Sequence, residues 1–186
     1  MRSDPGVGAD IEVRDAASSD AGAMALIYNF YIKDTIVTFE EEPVSPGRMK
    51  SRLQDVRAAA LPWLVAERAG EIVGYACATR WKDRHGYRFS AEVSVYLHPG
   101  QGGRGIGSML YRRLLPVLQS GGVHAAIGGI ALPNDASVAL HEKFGFERVA
   151  WFKEVGFKFD QWIDVAYWEK VFSPPPAVGQ STGGNV

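Results

Sequence analysis

Ile11 and Val13 alternate with Glu12 and Arg14, the period of a strand with one buried face. After Ser19 and Asp20, either of which can cap a helix, apolar residues recur at helical spacing at Met24, Ile27, Tyr28 and Tyr31. The stretch TFEEEPV, residues 38–44, carries neither period and reads as a connector. Ser45 and Pro46 then open a second helix that runs to about Ala60, with Met49, Leu53 and Val56 on one face and Pro62 as its stop. Leu64–Arg68 and Ile72–Thr79 read as two strands of a hairpin closed by Ala69 and Gly70.

Phe89–His98 is a further strand, and the glycine-rich run 99–105 feeds a helix over Ile106–Gln119 that Gly121 and Gly122 end. Pro116 is expected to kink its last turn. Ala125–Leu132 reads as a short apolar strand, Asn134–Phe144 as a helix capped by Asn134 or Asp135, and Phe146–Phe157 and Val165–Phe172 as closing strands. The order β-α-α-β-β-β-α-β-α-β-β predicts a mixed central sheet flanked by helices, an α/β (α+β) domain over residues 10–172. Residues 1–9 are expected to be flexible, and the tail 173–186, SPPPAVGQSTGGNV, to be disordered for want of apolar residues to bury.

At 186 residues with 46% hydrophobic positions, the chain has room for one domain and one substantial core. Twenty basic residues stand against 21 acidic ones, so no overall field exists to hold a polyanion, and nucleic acid is not an expected partner. No apolar run nears the roughly 20 residues that span a bilayer, and the first ten residues lack a signal-peptide pattern. The reading is a cytoplasmic protein with no membrane partner. Cys77 is the single cysteine, so neither an internal disulfide nor a multi-cysteine metal site can form, and no metal is expected. Inside its strand Cys77 reads as a small buried residue.

The first chemical signal is the cluster Gly102, Gly103, Gly105 and Gly107 between a strand and a helix. Bare backbone N–H groups and the positive helix end suit a phosphate there. A P-loop is excluded, because no Lys follows the last glycine. Gly100, Gly102 and Gly105 fit G-x-G-x-x-G, yet from Ser108 to Asn134 there is no Asp or Glu to take a dinucleotide ribose.

The run QGGRGIGSMLYRRLL resembles the acetyl-CoA pyrophosphate loop of the GCN5-related N-acetyltransferases (GNAT), and LPNDASVALHEKFGFERV resembles their next strand, helix and Gly-Phe turn. The segments TFEEEP, AEVSVYLHP, LHEKFGF and VGFKFDQWIDVAYWEK resemble the phosphinothricin and methionine sulfoximine acetyltransferase group within that superfamily. The resemblance spans about residues 10–172. It implies a GNAT fold, acetyl-CoA as co-substrate, direct transfer to the α-amine of a small amino acid analogue, and a homodimer. One departure stands out: Gly102 occupies the loop position where the family has Gln or Arg. The cradle Gly103, Arg104, Gly105, Ile106, Gly107 and Ser108 remains, and Arg104 is a candidate to restore the lost charge or else a solvated loop cation.

Amide formation needs a deprotonated amine, hence a base. The resemblance puts the catalytic glutamate at Glu92, which alternation places on one strand face with Ser94 and Tyr96, opposite Val93, Val95 and Leu97. His141 stands where many members carry a tyrosine that protonates the departing thiolate. Its role as acid, as partner of the base or as orienter stays open, as does Tyr96 between second donor and core aromatic. Lys82, Asp83, Arg84 and Tyr87, just before the Glu92 strand, match substrate-contacting positions or form a solvated loop. Val93 and Ser94 are expected to line the substrate, and Val95, Tyr96 and Leu97 the pantetheine arm. Phe39, Trp162 and Ile163 are expected as apolar walls, with Lys158 as a further cation. Asn134 is either a cofactor contact or a helix cap. The alternatives are an acyl-CoA-binding regulatory module without catalysis and an acetyltransferase of protein amines.

Overall fold

The computed structural model describes residues 11–172, so the expected flexible N-terminus and disordered tail lie outside the described residues. Seven strands and four helices follow one another in the expected order: β1 (Ile11–Asp15), α1 (Ala21–Asp34), α2 (Pro46–Ala58), β2 (Trp63–Arg68), β3 (Glu71–Arg80), β4 (Ser90–Leu97), α3 (Ile106–Ser120), β5 (Ala125–Ala131), α4 (Asp135–Lys143), β6 (Glu147–Lys158) and β7 (Gln161–Val171). They form one sheet in the order β1-β2-β3-β4-β5-β7-β6. Every neighbouring pair is antiparallel except β4 with β5. That parallel pair needs a crossover, which α3 supplies.

Local chemistry explains most element ends. Ala69 and Gly70 both have positive φ, 51° and 84°, as a two-residue hairpin turn matched to strand twist requires. Ser45 Oγ accepts from the Arg48 N–H at 3.2 Å and Pro46 fills the first helical position of α2. Gly122, at φ 86°, ends α3 while the Val123 N–H reaches back to the Leu118 carbonyl at 3.0 Å. Pro116 lies on the exposed side of α3, where water can serve the freed carbonyl, and the helix continues through it to Ser120.

Two readings of the sequence need correction. Asp20 does not cap α1 with its side chain. Helical dihedrals turn its carboxylate back to accept from the Ala17 N–H at 2.6 Å and from Arg14 at 2.7 and 3.0 Å. The last strand begins at Gln161 rather than Val165, because Phe159 and Asp160 adopt φ of 52° and 55° and fold β7 straight back on β6, pairing Lys158 with Gln161. Asp160 is a common turn residue, but Phe159 is not and no glycine or asparagine stands beside it, so the sequence signal for the turn was weak.

Strand alternation creates two cores. On one face Leu110, Tyr111 and Leu114 of α3 pack on Ala91, Val93 and Ala126. On the other Met24 and Tyr28 of α1 and Met49 and Leu53 of α2 pack on Val65, Tyr75 and Cys77. Each large side chain removed from water there contributes about 1.5–3 kcal/mol before entropy is counted. The helices thus lie on both sides of β4, which carries the residues the sequence singled out.

Candidate active site

β4 and β5 pair at Ser90 with Ala125, Ala91 with Ala126 and Glu92 with Ile127, and at no later residue. Both strands continue, to Leu97 and Ala131, and β5 keeps its pairing with β7 throughout. Beyond Glu92 and Ile127 they therefore part into a fork. Backbone edges that a sheet would normally pair face each other across it, ready to bond an extended ligand. At the tip of β4, the Tyr31 hydroxyl donates to the Leu97 carbonyl at 2.8 Å and accepts its N–H at 3.2 Å.

Gly128 and Gly129 begin the diverging arm of β5, and each makes room for one functional group. A Cβ on Gly128 would lie 2.3 Å from Nε2 of His141. A Cβ on Gly129 would lie 3.0 Å from the Tyr167 ring and 3.5 Å from Oε1 of Glu92. Successive strand residues face opposite sides, so Glu92 and His141 occupy the two faces of the sheet at the fork.

Glu92 is half-buried on the α1/α2 face, directly opposite Thr79 of β3. Burial pushes its carboxyl above the usual range, and the Lys82 ammonium partly offsets this. A carboxylate so placed is a stronger base than one in water. Tyr167 stands beside it, edge-on to Trp81 with ring centroids 5.5 Å apart, and Trp81 in turn carries Lys82 over its ring at 4.7 Å.

His141 is 4% exposed. Nδ1 lies 2.8 Å from the Ser137 carbonyl, which can only accept, so Nδ1 holds the proton. Nε2, 3.0 Å from the Tyr111 hydroxyl, accepts from it. Burial lowers the imidazole pKa, with the Ser137 bond opposing, which favours the neutral ring, and both nitrogens are engaged. This arrangement gives His141 no proton at Nε2 to donate. Tyr96 packs against Tyr28, Tyr31 and Tyr75 at centroid distances of 5.0, 5.2 and 5.4 Å, and burial pushes its hydroxyl well above the ordinary tyrosine range.

The remaining candidates fall into three places. The loop holding Lys82, Asp83, Arg84 and Tyr87 is exposed along its length. Phe39 lies flat on Gly156, whose register partner is Ile163; a Cβ at Gly156 would come within 2.2 Å of the Phe39 ring. Trp162 is exposed at the β6–β7 turn, with its ring 4.9 Å from Phe157. Lys158 is no free cation for a ligand: it is 3% exposed and donates to the Thr38 carbonyl at 2.6 Å, tying the 35–44 connector to β6.

On the opposite face, Gly103 and Gly105 have positive φ, 73° and 80°, and Gly105 leads into α3 with no acidic residue in its first turn. Gly107 serves packing instead: a Cβ there would sit 3.1 Å from Leu140, next to Val95. Arg104 is exposed in the loop, Ile106 and Ser108 are buried, and Asn134 Oδ1 caps α4 by accepting from the Ser137 N–H at 3.2 Å. Val93 turns its side chain to the α3 core, leaving only its backbone at the fork. Lys143, which the sequence reading passed over, donates to Ser108 Oγ at 3.1 Å and brings an ammonium to the positive end of α3. A cation is unfavourable at a helix N-terminus unless an anion joins it. Open glycine backbone, helix end and two nearby cations together fit the diphosphate of acetyl-CoA, and the fork edges fit its amide-bearing arm.

The Acetyltransferase (GNAT) family matches residues 24–146. The chain belongs to this family. It is 36% identical over 176 residues to phosphinothricin N-acetyltransferase of Streptomyces coelicolor, covering 87% of this chain and 96% of that one. It is 32% identical to the L-methionine sulfoximine/L-methionine sulfone acetyltransferase of Salmonella typhimurium, covering 83% and 91%. A GNAT-superfamily phosphinothricin acetyltransferase from Sinorhizobium meliloti, solved with acetyl-CoA, superposes with a TM-score of 0.84 at 31% identity, covering 93% and 97%. This GNAT chain is an N-acetyltransferase, and the mixed seven-stranded sheet is the fold expected from its sequence. Missed at that stage were Gly128, Gly129, Tyr111, Tyr167 and Lys143. Only the Gly-Gly pair inside an apolar strand carried a signal, since strand glycine marks close approach.

Proposed function

We propose that the protein transfers acetyl from acetyl-CoA to the α-amine of a small amino acid analogue of the phosphinothricin, methionine sulfoximine or methionine sulfone type, by direct attack in a ternary complex. The observation that carries this reading is the desolvated Glu92 carboxylate over Gly129 at the opening of the β4–β5 fork. The names and coverage of the relatives support the acceptor class.

Acetyl-CoA supplies an activated acetyl thioester. Gly103, Arg104, Gly105, Ile106, Gly107 and Ser108, with Lys143 nearby, would hold its diphosphate, and Val95 offers backbone to its arm, with Tyr96 and Leu97 lining the strand beyond it, the Leu97 backbone being held by Tyr31. Glu92 removes a proton from the acceptor ammonium, directly or through water, because only the neutral amine has a lone pair to attack with; the C–N bond then forms as the C–S bond breaks, and the CoA thiolate leaves with the proton that the new amide nitrogen sheds. Lys82, next to it, offers charge to the acceptor carboxylate. His141 holds the floor of the fork through Gly128 rather than exchanging a proton. Cys77 is no nucleophile: burial pushes its thiol up to about 12.

The exposed aromatic edge formed by Trp151, Phe152, Phe157, Phe159 and Trp162 on the sheet's outermost strand and turn supports a homodimer. No helix among the described residues is long and apolar enough to cross a membrane.

The test is steady-state acetylation of these amino acids by the full chain and by Glu92→Gln. Turnover in the parent and loss of about a hundredfold or more in kcat in the variant, with an unchanged melting profile, is the expected result. Acetyl-CoA binding without turnover of any amine would instead make the chain a regulatory module, and turnover restricted to peptide amines would move the acceptor class.

A further inference from the structure

A cavity of about 570 Å³ opens beneath α2 on the Glu92 face of the sheet. Thr79, opposite Glu92, and Ser94, two residues beyond it on the same strand face, line its near end. Its floor continues along Cys77, Tyr75 and Tyr96, and Arg52 hangs over the far part from α2. The cavity does not touch the exposed loop that holds Lys82, Arg84 and Tyr87, so it offers a second region for the acceptor.

Arg52 is fixed rather than solvated. Nη2 donates to Oε2 of Glu40 at 2.7 Å, and the guanidinium lies 5.5 Å from the centroid of Tyr28. Tyr28 donates to Oε1 of the same Glu40 at 2.8 Å and shares a hydrogen bond with Thr38 at 2.9 Å. A guanidinium has five N–H donors, and Glu40 takes only part of that capacity. Asp55, exposed at the rim three residues along α2, is the carboxylate that lines the cavity, and Glu40 reaches Arg52 from outside the lining.

Resting on the acceptor reading above, we propose that Arg52 is a specificity-determining residue, receiving an oxyanion or strongly polar oxygen at the far end of the acceptor's side chain. Strand spacing supplies the reason. Cys77 pairs with Ser94 and Tyr75 with Tyr96, which lie two and four residues from Glu92, roughly 7 and 13 Å along β4. An α-carboxylate, one carbon removed from the amine-bearing carbon, stays near Glu92. A group borne several carbons away spans the apolar floor and meets Arg52, where a planar fork suits paired oxygens.

The test compares Arg52→Gln and Arg52→Lys with the parent on phosphinothricin and on norleucine, whose side chain ends in methyl. Arg52→Gln should lower the ratio of kcat/KM for phosphinothricin over norleucine about tenfold, through KM rather than kcat, and Arg52→Lys should recover part of it. Glu40→Gln frees the guanidinium from its ion pair and should hold or lower the KM for phosphinothricin. An unchanged ratio in Arg52→Gln, or a matching rise in KM in Glu40→Gln, would make Arg52 a structural ion pair and overturn the proposal. Calorimetric binding of phosphinothricin to the same variants reads the contrast without turnover. Arg52-dependent binding in a protein that acetylates nothing would retire the catalytic reading and keep the site.

Discussion

Glu92 and His141 face opposite sides of the central sheet at the same point, separated by the Gly128–Gly129 step of β5. The carboxylate looks into the α1/α2 side, where the cavity opens, and the imidazole into the α3/α4 core. Two groups so divided do not share one proton, which separates the proposed base from the residue that shapes the fork.

Activity should therefore follow one acidic ionisation. Glu92 must be deprotonated to act, so kcat/KM falls as pH drops through its pKa, and burial sets that midpoint above the roughly 4.3 of a free glutamate. The Lys82 charge opposes the shift, so Lys82→Met should move the midpoint further up. The stability sign is opposite to that of a paired carboxylate. With the folded pKa raised, the contribution is complete below the unfolded value and lost as pH rises through the folded one, so Glu92→Gln should be slightly more stable at neutral pH. Profiles of kcat/KM and melting against pH check both; a midpoint unmoved by Lys82→Met would remove the electrostatic link.

Tyr111→Phe takes away the one donor to Nε2 of His141 among the described residues, in a buried site. The expected cost is about 1–3 kcal/mol of stability, read from denaturant unfolding. Nitrogen NMR of the parent should show neutral imidazole protonated at Nδ1 at about pH 6, where a free histidine would be largely charged. A doubly protonated ring under those conditions would restore His141 as a candidate acid.

Gly128→Ala drives a methyl into the His141 ring and should cost about 1–3 kcal/mol. Gly22→Ala is the matched control: nothing lies within 4 Å of a Cβ in that helical position. There the change should stabilise by about 0.5–1 kcal/mol. Equal effects at the two sites would mean that the imidazole yields freely, contrary to its two hydrogen bonds.

Lys143→Met should weaken calorimetric binding of CoA several-fold at low salt, with the difference shrinking as salt rises, as the proposed contact to phosphate requires. A phosphate-free acetyl-pantetheine donor should not feel the change. Identical losses for both donors would place Lys143 in the packing of α3 on α4 instead.

The element order, the turn at Ala69–Gly70, the cap at Ser45 and the glycine entry to α3 were all legible, because each rests on neighbours in sequence. Glu92 could be named from its strand context and family resemblance, and Lys158 was named as a cation without any sign that Thr38 would bury it. The β6–β7 turn escaped because Phe159 is an unusual residue at positive φ and Asp160 alone is a weak turn signal; pairing of the two strands imposes the conformation.

The sequence by itself determined which residues could form strands, helices and a phosphate-sized cradle, since those depend on periodicity and on the freedom of glycine backbone. Tertiary structure alone decided where β4 leaves β5, which face each side chain meets there, that His141 is held neutral by Ser137 and Tyr111, and that Arg52 overlooks the cavity near Glu92. Those are distances between residues far apart in the chain, and they are fixed by the packing of helices on both faces of one sheet.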